Sequence, residues 1–169
     1  MPPQFPVRPI GARPLKSAMD TLRPHLAGAN VLDLFAGQGR LGLGALREGA
    51  DSAVFVEIVP ALGREIQKQA MKFRYNADVI VSDVREYLAR EDFASPFDVV
   101  FADPPFPLWG RDFSDWLFSR VSVHIKLGGI FLVKHPVGML PWLPLSEFTL
   151  WKSSDFGESS LLYYRYGKE

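Results

Sequence analysis

Residues 30–57 contain the feature that most restricts the fold, a short apolar segment followed by a glycine-rich turn, a helical segment and a second apolar segment. Residues 30–35 are mostly apolar, residues 36–42 include three glycines, and residues 52–56 form the second apolar segment, which Glu57 closes. This order predicts a strand–helix–strand unit with parallel strands. Glycines between the first strand and the helix would let a ligand approach the backbone closely.

The alternation of short apolar segments with helical patterns continues along the chain. Further strands are predicted at residues 78–81, 97–102 and 130–134, and helices from Pro14 and over residues 60–73, 84–89 and 113–124. After a proline-rich loop at residues 136–144, two segments at residues 147–152 and 159–166 predict an antiparallel hairpin, with its turn at residues 153–158. The whole pattern predicts an α/β fold, a seven-stranded, mostly parallel sheet with one antiparallel strand and helices on both faces.

Composition excludes several classes of protein and of site. We expect one domain at residues 14–169, preceded by an extended arm at residues 1–13. Cysteine is absent, which excludes disulfides and thiolate metal sites, and His124 and His135 lack ligand-spaced neighbours, so no metal is predicted. No apolar run reaches the ~18 residues of a membrane span, and the N-terminus lacks the apolar core of a signal peptide. We therefore expect a cytoplasmic protein with no membrane partner. We also expect a monomer, although the composition does not determine the oligomeric state.

The glycine turn fits two kinds of ligand. Gly37, Gly39 and Gly42 have the spacing of a dinucleotide-binding turn, and Glu57 follows at the distance where an acidic residue accepts from ribose. Asp33, however, lies inside the first strand, where a buried carboxylate needs a compensating partner. S-adenosylmethionine carries an ammonium group and no pyrophosphate, so this carboxylate favours it as the cofactor and disfavours NAD.

Acidic residues also follow the third and fourth strands. Asp83 is suited to accept a hydrogen bond from an adenine amino group or to cap the next helix, and the two roles are compatible. Asp103-Pro104-Pro105-Phe106 follows the fourth strand, and by itself it is equally consistent with a strand-terminating turn. The carboxyl ends of parallel strands meet at one edge of a sheet. The sequence therefore places a nucleotide-like cofactor beside this tetrapeptide.

These motifs together resemble those of a known family. Asp33-Leu-Phe-Ala-Gly-Gln-Gly39, Glu57, Asp83 and Asp103-Pro-Pro-Phe106 are similar to the motifs of amino-group N-methyltransferases that use S-adenosylmethionine. Over residues 8–166 the chain most resembles the bacterial small-subunit (16S) ribosomal RNA guanine-N2 methyltransferases of the RsmD type. The resemblance implies a Rossmann-like class I methyltransferase fold and methylation of the exocyclic N2 amino group of a guanine. The expected partner is small-subunit ribosomal RNA or its assembling particle.

The resemblance and the strand ends together give a set of candidate site residues. The candidate catalytic residues are Asp103, Pro104, Pro105 and Phe106. The candidate cofactor-binding residues are Asp33, Phe35, Ala36, Gly37, Gly39, Glu57, Ile58, Asp83, Val84 and Asp103. The candidate RNA-contacting residues are Arg8, Arg13, Lys16 and Arg40. For the basic residues near the N-terminus, a solvated helix face is the alternative to phosphate binding.

Other functions remain open at this point. An amino-group methyltransferase acting on DNA adenine or on a protein side chain would use the same tetrapeptide. A non-catalytic ribosome assembly factor would keep the cofactor pocket without turnover, but it would have no need for an intact Asp103-Pro-Pro-Phe106. An NAD-dependent oxidoreductase is disfavoured by Asp33 and by the lack of a recognisable acid or base for hydride transfer.

Overall fold

Seven strands form one sheet in the computed structural model, which describes residues 8–91, 96–138 and 147–167. The strands are β1 Asn30–Leu34, β2 Ser52–Glu57, β3 Ala77–Val81, β4 Phe97–Ala102, β5 Ile125–Pro136, β6 Phe148–Phe156 and β7 Ser159–Tyr166. Their spatial order is β3-β2-β1-β4-β5-β7-β6, and β1 to β5 are parallel. Because β7 runs antiparallel to both of its neighbours, the predicted sheet with one reversed strand is confirmed.

Helices pack on both faces of this sheet. Within the described residues they are α1 Ala12–Leu22, α2 Arg40–Arg47, α3 Pro60–Lys72, α4 Val84–Leu88 and α5 Arg111–Val121. Apolar side chains of α1, α2 and α3 share one hydrophobic core with the sheet, and those of α4 and α5 share a second core. The prediction of helices on both faces is therefore confirmed.

Strand β1 contributes to both cores. Val31 packs in the first core, whereas Leu32 and Leu34 pack in the second, because successive side chains of a strand point to opposite faces. Burial on both faces explains why the parallel strands are nearly continuous apolar runs in the sequence. Asp33 occupies a position in this strand that burial would otherwise assign to an apolar residue.

The first helix begins earlier than predicted. Its first residue is Ala12, with Gly11 at the N-cap, so Pro14 lies inside the first turn. A proline is tolerated there because the N–H groups of the first turn have no partner within the helix. The predicted extended arm is therefore helical at residues 12–13, and its residues 1–7 lie outside the described residues. The division into an arm and one domain stays a prediction.

The elements around the predicted fifth strand also differ from expectation. β5 begins at Ile125, ahead of the predicted residue 130, and a register shift between Phe97 and Val99 of β4 accommodates its first residues. Helix α5 covers Arg111–Val121 instead of residues 113–124.

The C-terminal hairpin is longer than predicted, and the loop before it is only partly described. β6 continues to Phe156, because residues 153–156 pair with β7 instead of forming the expected turn. Gly157 and Glu158 alone connect the strands, and the φ of +56° at Gly157 suits a two-residue connection. In the predicted loop at residues 136–144, Pro136 is the last residue of β5, and residues 139–144 lie outside the described residues.

Candidate active site

The carboxyl ends of β1 to β4 open into one cleft of about 1160 Å³. Asp33, Glu57, Asp83 and Asp103 line this cleft, each within two residues of the end of one of these strands. Ligands bind at this edge of doubly wound sheets. The structure thus brings together the four carboxyl groups that the sequence predicted to share a site.

The three glycines of the turn after β1 have different roles. A Cβ on Gly42 would lie 2.3 Å from Cε1 of Phe55, and a Cβ on Gly39 would lie 2.9 Å from Cγ1 of Ile66. These two glycines therefore allow α2 and the turn to pack closely on neighbouring side chains. Gly37, with φ of +59°, lines the cleft, whereas Gly39 is the buried N-cap of α2 and is not part of the lining. The structure supports close ligand approach at Gly37 and gives Gly39 a packing role.

Phe35 starts the turn in an unusual backbone conformation. Its φ of +56° is rare for a residue with a side chain, and such conformations cost about 1–3 kcal/mol. The next residue is anchored, because the N–H of Ala36 donates to the carbonyl of Val56 at 3.0 Å. The ring of Phe35 meets the edge of Phe113, with 6.2 Å between centroids, and both residues line the cleft. The strained turn thus presents an aromatic side chain to the site.

Asp33 is the most deeply buried of the four acidic groups, with 1% of its surface exposed. Burial raises the pKa of its carboxyl group well above the ordinary value. The N–H of Gly42 opposes this, donating to Oδ2 at 2.9 Å, while the negative charges of Asp103 and Glu57 raise the pKa further. The sequence suggested a cationic ligand as the compensating partner, and the structure supplies one partner within the chain. A cation in the cleft would additionally relieve the repulsion among these carboxylates.

Glu57 and Asp83 hold the backbone around the cleft. Glu57 accepts from the N–H of Gly37 at 2.7 Å through Oε1 and from the N–H of Val59 at 2.8 Å through Oε2. Asp83 accepts from the N–H of Arg85 at 2.8 Å and so caps α4, which confirms the predicted capping role. An ionised carboxylate has about four acceptor positions, so both groups can keep these bonds and also accept from a ligand.

The tetrapeptide after β4 is both a turn and a wall of the cleft. Pro105 is extended, with φ of −53° and ψ of 135°, and a short 3-10 helix, Phe106–Leu108, follows it. The N–H of Leu108 donates to the carbonyl of Pro105 at 3.0 Å, which closes this turn. Asp103, Pro104 and the two residues after them all line the cleft. The turn that the sequence suggested is therefore present and shapes the site.

Lys134 lies against Asp103 and was missed by sequence reasoning. Its Nζ is 3.3 Å from Oδ1 of Asp103 and 5.3 Å from the ring centre of Phe106, and it lines the cleft although the residue is only 8% exposed. Burial raises the pKa of Asp103 to about 6, against the lowering effect of the Lys134 charge and hydrogen bond. The sequence did contain a signal for this residue, because Lys134 directly follows the apolar run of residues 130–133 near the carboxyl end of a buried strand.

The remaining candidate cofactor residues lie in the same cleft. They are Phe35, Ala36, Gly37, Ile58 and Val84. Two further aromatic residues that the sequence analysis did not single out, Phe113 and Trp116, also line it. Their rings pack against each other with 5.8 Å between centroids, so α5 contributes an aromatic wall. Cofactor binding by these residues stays a prediction.

The four candidate RNA-contacting residues fall into two groups. Arg8 and Arg40 line the cleft, and Nη1 of Arg40 donates to the carbonyl of Ile10 at 3.0 Å. Arg13 and Lys16 instead line a separate, shallow groove of about 360 Å³ between α1 and β6. The structure therefore does not bring all four together.

The groove contains a further cation and adjoins the cleft. Lys152 of β6 lines it and donates to Oγ1 of Thr21 at 2.8 Å, while Lys16 pairs with Asp20 at 2.8 Å. Phe156 lines both the groove and the cleft. The groove thus contains three basic side chains and the carboxyl group of Asp20, and it meets the cleft at Phe156.

The described part of the chain holds neither a metal-binding cluster nor a membrane-spanning helix. Across residues 8–91, 96–138 and 147–167, no group of three or more histidine, cysteine, aspartate or glutamate side chains is arranged to hold a metal ion. No helix among these residues is long and apolar enough to cross a membrane. His124 and His135 are both buried, and the ring of His135 lies 4.9 Å from that of Trp109.

Comparison with known proteins identifies the family. A family model described as "Conserved hypothetical protein 95" matches residues 1–165. Ribosomal RNA small subunit methyltransferase D of Escherichia coli K12 is 35% identical over 101 residues, which cover 59% of this chain and 50% of the relative. The Haemophilus influenzae protein of the same name is 32% identical over 103 residues, covering 59% and 53%. The chain thus spans about half the length of the curated relatives it matches.

Solved structures extend the similarity to the whole chain. A putative methyltransferase of Escherichia coli has a TM-score of 0.84 at 25% identity, covering 100% of this chain and 92% of that one. A putative methylase of Haemophilus influenzae has a TM-score of 0.79 at 26% identity, covering 95% and 100%. An RNA methyltransferase of Salinibacter ruber, solved with S-adenosyl-L-homocysteine, shares the fold with a TM-score of 0.71 at 16% identity, covering 96% and 95%. The chain has the Rossmann-like class I methyltransferase fold and belongs to the Conserved hypothetical protein 95 family, the RsmD-type family that its motifs resemble.

Proposed function

We propose that this protein transfers a methyl group from S-adenosylmethionine to the exocyclic N2 amino group of a guanine in small-subunit ribosomal RNA. One observation carries the proposal: a single cleft joins the carboxyl groups and glycine turn of β1 to β3 to the Asp103-Pro-Pro-Phe106 segment of β4. The name of the Escherichia coli and Haemophilus influenzae relatives supports the substrate class.

The cleft fits S-adenosylmethionine better than a dinucleotide. Its volume of about 1160 Å³ exceeds the usual range of small-molecule sites, roughly 300–1,000 Å³, so a cofactor and a base can share it. Asp33 and Glu57 line it on either side of the glycine turn, and these acidic groups favour a cationic ligand and disfavour a diphosphate. We infer that Glu57 accepts from the ribose hydroxyls and Asp83 from the adenine amino group, with Asp33 near the ammonium group.

When bound, S-adenosylmethionine supplies an electrophilic methyl group. The protein's task is to make the target amino group a nucleophile, because its lone pair is delocalised into the base. We propose that Asp103 accepts one N–H of this group and that the carbonyl of Pro104 accepts the other, which localises the lone pair. Acceptors fixed where positive charge develops contribute on the order of 3 kcal/mol each. The rigid prolines on this segment keep both acceptors in place.

Aromatic residues would hold the target base in the cleft. A base must leave its stack before its amino group becomes accessible, at a cost of a few kcal/mol. Stacking of the base on an aromatic ring of the protein contributes about 1–3 kcal/mol per base and offsets part of that cost. Phe106 lines the cleft beside Asp103, and we assign it this stacking role.

The RNA backbone would cross the groove that adjoins the cleft. Arg8 and Arg40 lie at the cleft, and Arg13, Lys16 and Lys152 line the adjoining groove. Phosphate contacts of this kind position the substrate and make its affinity depend on salt. We also propose that the protein acts as a monomer with a single domain, in the cytoplasm where its ribosomal substrate is assembled.

A methyl-transfer assay with parallel acceptors tests the proposal. Tritiated S-adenosylmethionine is supplied with small-subunit particles lacking the modification, free 16S RNA, DNA and protein, and the modified nucleotide is mapped in the acceptor that is labelled. We expect label in a guanine N2 position of the ribosomal RNA. Label in DNA adenine or in a protein side chain would replace the proposed substrate. Cofactor binding without transfer to any acceptor would indicate a non-catalytic assembly factor.

A further inference from the structure

Lys134 and Asp103 meet where β4 and β5 reach the cleft. The last registered pair of these parallel strands is Ala102 with Val133, and the next residue of each strand forms the ion pair at 3.3 Å. The exposed fractions of the two side chains are 10% for Lys134 and 17% for Asp103. Removing an ammonium and a carboxylate from water costs several kcal/mol per ion. A buried pair at this position therefore contributes little to stability, which favours a role other than holding the fold together.

The backbone of Lys134 is fixed from two directions. On one side it is paired with Leu161 of β7. On the other side its carbonyl accepts a hydrogen bond from Nε1 of Trp109 at 3.1 Å. Trp109 directly follows the 3-10 helix that carries Phe106. Lys134 is therefore tied to both the hairpin and the segment after the tetrapeptide, and its side chain reaches Asp103 from a preset position.

We propose that Lys134 is a positioning residue for methyl transfer, which holds Asp103 as an oriented carboxylate next to the ring of Phe106. The inference rests on the proposed function, in which Asp103 accepts a hydrogen bond from the target amino group. Lys134 acts through Asp103, and its ammonium group keeps that acceptor charged although both side chains are largely buried.

The surroundings of Asp103 show why a cation is needed to keep its carboxyl group ionised. Asp33 approaches from β1, and its own pKa is raised partly by the charge of Asp103. Lys134 approaches from β5 and opposes the burial that raises the pKa of Asp103 to about 6. Without Lys134, burial alone would act on the pKa of Asp103 and would favour its protonated form. A protonated carboxyl group presents an O–H donor where the amino group needs an acceptor.

Substitutions at Lys134 test the inference, with a matched pair on the same strands as control. Lys126 of β5 pairs with Asp98 of β4 at 3.2 Å, away from the residues that line the cleft, so Lys126→Met removes an equivalent charge. The carboxyl group of Asp103 is titrated by carbon NMR, with Asp103→Asn identifying its signal. The pH dependence of kcat for methyl transfer is measured on the same variants.

We expect Lys134→Met to raise both the titration midpoint of Asp103 and the acidic limb of kcat by about one to three pH units. Lys134→Arg should stay close to wild type, because it restores the charge, and Lys126→Met should superimpose on wild type. KM for S-adenosylmethionine should change little, because the substitution acts on Asp103, which contacts the target amino group in the proposed reaction.

Two results would overturn the inference. In one, the Asp103 titration in Lys134→Met stays at the wild-type pH. In the other, the titration moves but the acidic limb of kcat does not follow it, so the charge of Asp103 has no bearing on turnover. If Lys134→Met does not fold, Lys134→Gln makes the same comparison, since its amide donates without a charge. Failure of the proposed function looks different, because the wild-type protein would then label DNA, protein or no acceptor at all, instead of a guanine of the ribosomal RNA.

Discussion

Strands β4 and β5 are joined by an aspartate–lysine ion pair near each end, and the two pairs differ in their surroundings. At the cleft, Nζ of Lys134 lies 3.3 Å from Asp103, and at the opposite end Nζ of Lys126 lies 3.2 Å from Asp98. The distances are nearly equal. The lysine side chains are 10% and 40% exposed, respectively, so burial is the property that separates the pairs.

The more exposed pair has a structural role. Oδ2 of Asp98 also accepts from the N–H of Asn30 at 2.8 Å, so this carboxylate links β1, β4 and β5. Exposed ion pairs contribute about 0–1 kcal/mol and are screened by salt. At the cleft end, burial raises the pKa of Asp103 to about 6 despite its lysine partner. The same two residue types therefore serve the fold in one place and a candidate reaction in the other.

The largest expected effect is the difference in turnover between variants of Asp103 and of Asp98, the aspartates of the two ion pairs. Asp103→Ala should lower turnover by about 10²–10³-fold or more, because an acceptor aimed at developing positive charge is removed. Its affinity for S-adenosylmethionine should change little. Asp98→Ala should leave turnover close to wild type and lower the melting temperature. Initial rates of methyl transfer and calorimetric titration with the cofactor measure these effects. Equal losses of binding and turnover in Asp103→Ala would show that Asp103, like Asp98, is structural.

Substitution of Asp33 extends the comparison to β1. Asp33→Asn should weaken S-adenosylmethionine binding by about 10–100-fold, because a hydrogen bond to a charged group contributes about 1.5–3 kcal/mol. Asparagine still offers an oxygen to the N–H of Gly42, so the melting temperature should stay near wild type. Asp33→Ala should weaken binding as well and also destabilise the protein by about 1–3 kcal/mol, since that buried N–H loses its acceptor. Calorimetry that shows unchanged affinity in both variants would contradict an ammonium partner for Asp33.

A pH series distinguishes a charged role of Asp33 from a purely steric one. Its pKa is raised, so the protonated form persists to a higher pH than for an ordinary aspartate. A cationic ligand prefers the ionised form, and affinity for S-adenosylmethionine should therefore rise with pH, by at most about tenfold per pH unit, with release of protons. Titration calorimetry in two buffers of different ionisation enthalpy measures that release. The Asp33→Asn variant should show a flatter profile, and an equally steep one would assign the proton to another group.

The amino-acid sequence predicts those parts of the structure that depend on local pattern. The repeats of apolar strand and amphipathic helix predicted β1 to β4 and their direction, and strand ends in a parallel sheet share an edge. Asp33, Glu57, Asp83 and Asp103 could therefore be placed in one site without coordinates.

Contacts that depend on the register between distant segments cannot be predicted from local sequence pattern. Lys134 reaches Asp103 only because β5 lies beside β4 in a register that a local pattern does not specify. The separation of Arg13 from Arg40 likewise depends on how α1 packs, and the packing role of Gly39 depends on Ile66 of α3. Such contacts become visible once the sheet order is known.

The smallest expected effect concerns the cations of the groove. It shows whether these cations are ordinary surface charges, like Lys126 of the more exposed ion pair, or contact the phosphates of the RNA. Arg13→Gln and Lys152→Gln should each weaken RNA binding modestly and reduce the slope of log affinity against log salt by about 0.7 for each phosphate of single-stranded RNA that the variant no longer neutralises. Lys126→Gln, another partly exposed lysine, is the control and should keep the wild-type slope. Fluorescence anisotropy with a small-subunit RNA fragment at several salt concentrations measures the slopes. If all three variants keep the wild-type slope, the groove cations are solvated surface charges, and RNA recognition must come from the cleft itself.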